Sequence, residues 1–236
     1  MVNQFDLRLT RVMKFDGIIF DFNGVLWRDT CLHEQAWLQF SKKMGSRSFS
    51  SEEIRIHALG RTNQYCLSFL MGRPVTGNEL NQLTQQKETI YRQLCLKQGT
   101  DFKLSPGAIQ LLDYVVAQNI PHTIATGSEK TNLDFFIEHL QLKKWFDLMK
   151  IVYDNGNRPG KPAPDVYLEA ARRLELNPVQ CIVIEDSPSG IEAAQAAGIG
   201  YVVALGPADT HHKLAKLKGV NRIVETLEEI PKEQWF

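Results

Sequence analysis

The sequence predicts an α/β protein: a Rossmann-like parallel sheet core with an inserted all-helical cap domain after its first strand. Three observations carry the prediction. An apolar, strand-like run opens the readable pattern at residues 15–22. A stretch with helical periodicity and no strand signal follows, from Leu32 to about Lys97. Strand-like and helix-like segments then alternate to the C-terminus, as in parallel sheets covered by helices on both faces.

Taken in order, residues 15–22 read as a buried strand, with Gly24 at the turn that ends it. From Leu32 the period changes. Leu32, Ala36, Phe40 and Met44 recur every fourth residue, and Leu80, Leu83, Ile90 and Leu94 mark one face of a later, longer helix. Ser51-Glu52-Glu53 and Thr62-Asn63-Gln64 are two further helix starts. Gly45, Gly60, Gly72-Arg73-Pro74 and Gly77 divide this region into about four helices. After Gly99, helices are expected at 106–118, 130–140, 164–174 and 189–197. Strands are expected at 121–125, near 148–153, and at 181–185, 201–205 and 222–224. The resulting division is a core of residues 1–29 and 103–236 with a helical cap of 30–102. Ligands of open parallel sheets bind beyond the carboxyl ends of the strands, so the cap emerges where it can act as a lid.

Composition narrows the class. Of 236 residues, 43% are hydrophobic and 23% charged, ordinary values for a globular chain. Lys plus Arg and Asp plus Glu both number 27, so no general field exists to hold nucleic acid or an anionic membrane. Apolar runs such as 17–20 and 198–205 are too short to span a bilayer. Residues 1–14 interleave Asp6, Arg8 and Arg11 with apolar positions, unlike a secretory leader. Cys31, Cys66, Cys95 and Cys181 are widely spaced, which favours unpaired thiols and a cytoplasmic location. Trp37, Trp145 and Trp235 read as packing residues.

Four short segments lie where strands end. Asp21-Phe22-Asn23-Gly24 places a carboxylate at the end of the first strand; in isolation, that Asp could simply stabilise the turn. Thr126-Gly127-Ser128 offers hydroxyls and free N–H groups suited to an anion, or a plain helix cap at Ser128. Gly160-Lys161-Pro162 holds a lysine between Gly and Pro as a placed charge, or is a solvated loop. Glu185-Asp186-Ser187 ends an apolar strand with two adjacent acids. Hard oxygen ligands of this kind suit Mg2+, although Asp186 could merely cap the next helix. All four bland readings would have to hold at once, in order, to imitate one site.

The ordered set, with Gly190-Ile191-Glu192-Ala193-Ala194 behind the acidic pair and Lys161-Pro162-Ala163-Pro164-Asp165, resembles the haloacid dehalogenase superfamily over essentially the whole chain. It looks most like the β-phosphoglucomutase-like branch, whose helical cap follows the first strand. That resemblance implies a Mg2+-dependent phosphatase of a small phosphate ester, such as a sugar phosphate, working through an aspartyl-phosphate on Asp21. It implies metal ligation by Asp21, the backbone carbonyl of Asn23 and Asp186, with Glu185 nearby. Thr126 and the N–H groups of Gly127 and Ser128 would grip the phosphoryl oxygens, and Lys161 would neutralise charge between nucleophile and phosphate.

One position departs from the pattern. Phosphatases of this family usually carry Asp two residues after the nucleophile, where it protonates the leaving alcohol and then deprotonates water; here it is Asn23. A carboxamide cannot exchange a proton near neutral pH, and losing a general acid/base typically costs roughly 10²–10⁴-fold. The readings are a slow phosphatase, one with a good leaving group or another proton source, a phosphate-ester-binding protein with little turnover, or an engineered substitution that traps an intermediate. A 2-haloacid dehalogenase is a further alternative, but its chemistry needs no Mg2+ and leaves Glu185-Asp186 without a role. Asn23→Asp is expected to speed breakdown of the phosphoenzyme. His33, twelve residues beyond Asp21, matches the place of a cap histidine in the resembled branch. It is a candidate proton donor because His titrates near neutral pH, or it is a polar hinge residue. Arg61 would bind a distal group of the substrate, or is a surface arginine.

Overall fold

The computed structural model describes residues 14–45, 49–58 and 61–236. The stretch read as unlike a leader, apart from Lys14, and the punctuating Gly60 lie outside the described residues. Six strands form one sheet: β1 Gly17–Phe20, β2 His122–Glu129, β3 Val152–Asp154, β4 Cys181–Glu185, β5 Tyr201–Leu205 and β6 Arg222–Val224. Their order is β3-β2-β1-β4-β5-β6, and every pairing is parallel. The chain builds outward from β1 on one side and then restarts at β4 on the other. The crevice at the carboxyl ends of β1, β2 and β4 is therefore a topological switch point, the usual ligand site of such sheets.

Side chains alternate across the sheet, as the two-residue strand period demands. Ile18, Phe20, Ile124, Ile182, Ile184 and Val203 join one apolar cluster, while Ile19, Ala125, Val183, Val202 and Ala204 join another. Helices α1 Thr30–Met44, α2 Ser51–His57, α3 Asn63–Met71 and α4 Gly77–Leu96 stand between β1 and β2. They build a third cluster around Trp37, Phe40, Ile54, Leu67 and Leu70. Ser50 and Glu53 close a capping box on α2, and Thr62 caps α3 by accepting from the Tyr65 N–H. Leu32, Ala36, Tyr91 and Leu94 pack instead into the cluster on the sheet, which anchors α1 and α4 to the core. The remaining helices are α5 Ala108–Ala117, α6 Lys130–His139, α7 Asp165–Arg173, α8 Pro188–Ala196, and the short α9 His211–Leu214 and α10 Lys232–Trp235.

Three strands differ from expectation, the first only in being shorter, Gly17–Phe20 within 15–22. β3 begins at Val152, because Leu148 and Met149 turn out to solvent and Met149 is 83% exposed. Apolar character alone does not make a strand without a neighbour to pair with. β2 does not stop at Ala125. It continues to Glu129 through a register shift, pairing Ala125 with Val152 and Glu129 with Asp154. Thr126-Gly127-Ser128 therefore forms an irregularity inside a strand, such as commonly re-aims side chains beside active sites. The four cysteines are free thiols, and Trp37, Trp145 and Trp235 are buried. Among the described residues no helix is long and apolar enough to cross a membrane.

Candidate active site

Asp21 follows β1 directly, and its N–H donates to the Ile184 carbonyl of β4 at 3.0 Å. Its Oδ1 accepts from Lys161 Nζ at 2.7 Å, and the same ammonium donates to Glu185 Oε1 at 2.6 Å. Both oxygens of Glu185 are occupied by protein donors. The Tyr167 hydroxyl donates to Oε1 at 3.1 Å, and Oε2 accepts from the Ser187 N–H at 2.7 Å and Oγ–H at 3.1 Å. Gly190 makes room for this carboxylate: a Cβ there would stand 1.6 Å from Oε1.

Asp186 is not the helix cap. Ser187 takes that place on α8, its hydroxyl accepting from the Gly190 N–H at 3.1 Å. Asp186 instead turns toward Gly24, whose φ of +82° and whose missing side chain are both required, since a Cβ would lie 1.9 Å from Oδ2. No donor among the described residues bonds the Asp186 carboxylate. Asp21, Glu185 and Asp186 each offer an oxygen within 4.8 Å of the others, with Lys161 the ammonium bonded to two of them. Burial raises Asp21 to about 7, with Lys161 opposing the rise. Burial, and then the charges of Glu185 and Asp21, push Asp186 well above the usual carboxylate range. Three buried or half-buried carboxylates, one lacking a hydrogen-bond donor, fit a hard divalent cation.

The irregularity in β2 brings Thr126 and Ser128 to the same edge. Ser128 does not cap α6, where Glu129 holds the cap position without a side-chain bond. The Ser128 N–H donates to Thr126 Oγ1 at 3.0 Å. Both hydroxyls donate to Asn23 Oδ1, from Ser128 at 2.7 Å and from Thr126 at 3.4 Å. Gly127 is exposed and faces open space.

The other end of the Asn23 amide reaches a residue that sequence reasoning missed. Nδ2 donates to Asp29 Oδ2 at 2.5 Å. Asp29 is fully buried, its Oδ1 accepts from the Gly24 N–H at 3.0 Å, and the Tyr91 hydroxyl donates to Oδ2. Burial pushes Asp29 up to about 6 despite the bonds from Tyr91, Asn23 and Gly24. His33 stacks on Tyr91 at 3.9 Å, with Nε2 at 3.4 Å from Asn23 Nδ2 and Nδ1 at 3.0 Å from Lys87 Nζ. Burial and the adjacent Lys87 ammonium hold His33 down at about 3, so the expected titration near neutral pH does not occur. The ring is neutral.

A cavity of about 100 Å³ joins these groups to the helical insertion, lined there by Trp37, Arg61, Asn63, Lys87 and Glu88. Arg61 reaches it while lying 5.2 Å over the Tyr65 ring. Glu88 is buried, with Oε1 accepting from Asn63 and Lys87, both at 2.8 Å, and Oε2 from Asn132 at 2.7 Å. The sequence signal for this set was slight: Lys87, Glu88 and Tyr91 sit among the apolar stripe of α4, and Asp29 stands one residue before α1.

The family model described as haloacid dehalogenase-like hydrolase matches residues 15–198. The chain belongs to the haloacid dehalogenase-like hydrolase family. A HAD hydrolase of family IA, variant 3, from Entamoeba histolytica superposes with a TM-score of 0.83 at 35% identity, covering 93% of this chain and 96% of its own. The phosphorylated carbohydrates phosphatase of Thermotoga maritima is 28% identical over 188 residues, 78% of this chain and 82% of that protein. Hexitol phosphatase A of Escherichia coli is 27% identical over 220 residues, 92% of this chain and 94% of that protein. Within this family the switch-point crevice, with Asp21 at its floor, is the candidate active site.

Proposed function

We propose that this hydrolase is a Mg2+-dependent phosphatase of a small phosphate ester, a sugar phosphate or similar, acting through an aspartyl-phosphate on Asp21. The observation that carries the reading is the charge arrangement at the sheet edge. Lys161 holds Asp21 in place beside Asp186, whose carboxylate lacks a donor among the described residues. Asp21, Asp186 and the backbone carbonyl of Asn23 would hold the cation, with Glu185 behind them. Bound there, it offsets the negative charge that phosphate and carboxylates bring together.

The chain's own groups then divide the work. An Asp21 oxygen attacks phosphorus, the ester P–O bond breaks with its electrons leaving on the alcohol oxygen, and that oxygen takes up a proton. Water next attacks the same phosphorus and loses a proton. The bond to Asp21 breaks, giving inorganic phosphate and the free carboxylate. Lys161 fixes the nucleophile and stabilises charge on the equatorial oxygens, which is where phosphoryl transfer needs help. Thr126 and the N–H groups of Gly127 and Ser128 would take the phosphoryl oxygens, the Thr126 hydroxyl giving up its 3.4 Å bond to Asn23 and the Ser128 N–H its bond to that hydroxyl. Because the Asn23 amide exchanges no proton, hydrolysis of the phosphoenzyme is the slow step, and the signature is a burst of alcohol near one equivalent. The polar lining of the cavity suits a hydroxylated alcohol, and the relatives named for phosphorylated carbohydrates and hexitol phosphates support that class. They speak against a binding protein with little turnover. Residues 30–102 serve as the cap, closing over the ester about hinges near 28–30 and 99–104.

Phosphate release from a panel of sugar and polyol phosphates, with Mg2+ or excess chelator, tests the reading. Release should stop with chelator and in Asp21→Asn. Undiminished release in either case sinks the mechanism, and halide release from a 2-haloacid without metal would put a dehalogenase in its place.

A further inference from the structure

The side chain at position 23 has a job that a missing acid/base does not describe. An amide carries a donor and an acceptor at opposite ends, and both are used here. Its Oδ1 receives the hydroxyls of Ser128 and Thr126, and its Nδ2 donates to Asp29 at 2.5 Å. Asp29 in turn receives the Gly24 N–H and the Tyr91 hydroxyl. Gly24 is the residue whose backbone packs against the Asp186 carboxylate. One amide and one carboxylate thus tie together the irregular segment of β2, the turn after the nucleophile, the approach to α1 and the cap helix α4.

We infer that Asn23 and Asp29 are a matched positioning pair, in which the amide at 23 exists to satisfy the buried carboxylate at 29, so that neither can be changed to its acid or amide counterpart alone. The inference rests on the phosphatase reading for its meaning in turnover, but its geometry stands without it. An ionised carboxylate only accepts. Asn23→Asp therefore removes the amide donor facing Asp29 and sets two carboxyl groups against each other in a buried place. Asp29→Asn leaves one acceptor oxygen for three donors: the Gly24 N–H, the Tyr91 hydroxyl and Asn23 Nδ2. The exchanged pair, Asn23→Asp with Asp29→Asn, restores every bond with roles reversed. A carboxylate at 23 accepts from Ser128, Thr126 and the new amide. The oxygen of that amide keeps the Gly24 N–H, and its nitrogen donates to the Tyr91 oxygen. The simple expectation from sequence, that Asn23→Asp alone accelerates turnover, is thereby reversed.

The test compares the wild-type chain with the two single variants and the exchanged pair. Three quantities are read: melting temperature, affinity for inorganic phosphate in Mg2+, and steady-state phosphate release. Each single change should weaken phosphate binding and slow release by about tenfold or more, as an unsatisfied buried polar group does. The exchanged pair should recover to within about threefold of wild type, a strong non-additivity between touching residues. Asn23→Asp alone matching or exceeding wild type in phosphate affinity and turnover overturns the inference. So does an exchanged pair no better than its worse single parent. Should a single variant fail to fold, a folded exchanged pair is the expected rescue, and an unfolded one counts against the pairing. If wild type releases no phosphate from any ester, the phosphatase reading fails, while phosphate affinity and melting temperature still decide the pair. If release depends on Asp21 but the exchange rescues nothing, the pairing fails and the phosphatase reading stands.

Discussion

Two walls of one cavity treat buried charge in opposite ways. On the sheet-edge wall, Asp21, Glu185 and Asp186 converge with Lys161, and burial raises Asp21 to about 7. On the insertion wall, Glu88 is just as buried, yet it is held at about 2. Burial alone would raise it, but the Lys87 ammonium and the Asn132 amide outweigh that penalty. Burial by itself therefore does not mark a working group. What distinguishes the sheet edge is charge left unmatched, which an external cation or phosphate chemistry can use, whereas the insertion closes its charges internally.

The largest expected effect tests the sheet-edge wall directly. Asp21→Asn should cut phosphate release by roughly 10⁴-fold or more, since a nucleophile acts as a unit with its surroundings. A residual rate near wild type would move the chemistry elsewhere in the cavity. Next comes the insertion wall, where the effect should fall on folding. Removing one partner of a buried pair costs about 3–5 kcal/mol, so Glu88→Ala should lower the melting temperature strongly by stranding Lys87 with no counter-charge. The same kind of change at the other wall should have the opposite sign. Asp186→Asn, measured in chelator, should raise stability by about 1 kcal/mol, or about 2–4 °C in melting temperature for a chain of this size. It should also lose the stabilisation that Mg2+ gives wild type. Equal destabilisation at both positions would erase the comparison.

The pH dependence sharpens the contrast. Asp21 rises from 3.8 to about 7 on folding, so between those values the folded chain keeps a proton that the unfolded chain has lost. Its contribution to stability in chelator therefore falls as pH climbs from about 4 to about 7. Glu88 is depressed from 4.5 to about 2, so its contribution is present above 4.5 and lost as pH falls through 2. Because ligation needs the ionised carboxylate, the gain in melting temperature on adding Mg2+ should grow from about pH 5 to about pH 8. A gain that is flat with pH would argue against Asp21 as a ligand. The smallest effect is expected at His33, whose ring is neutral throughout this range. His33→Gln should slow turnover by less than about tenfold, below the general-acid range of roughly 10²–10⁴.

Asp21 and Glu185-Asp186 were legible because strand ends are punctuated in sequence, and Lys161 because Gly160 and Pro162 bracket it. An apolar run that stops abruptly at an acid and a turn residue marks the edge of a sheet, where ligands of parallel sheets bind. Asp29, Asn63, Lys87 and Glu88 were not legible. On an amphipathic helix a lysine or glutamate looks the same whether it faces water or a buried partner, and nothing local distinguishes the two. Even among the legible residues, the partners were open. Ser128 and Asp186 both stand where a helix cap is plausible, and only the packed chain gives the α8 cap to Ser187 and leaves the cap position of α6, at Glu129, without a side-chain bond.

By itself the sequence determined the sheet, its helical insertion and the order in which acids, hydroxyls and lysine reach the carboxyl edge. These follow from local periodicity and from the few ways a parallel sheet can be wound. Tertiary structure alone decided how the charges are matched. It carried β2 past Ala125 so that two hydroxyls meet Asn23, laid α4 where Tyr91 reaches Asp29, and turned the Asp186 carboxylate toward Gly24. Hydrogen-bond partners are set by distance in space between residues far apart in the chain, and that distance is written in no single segment.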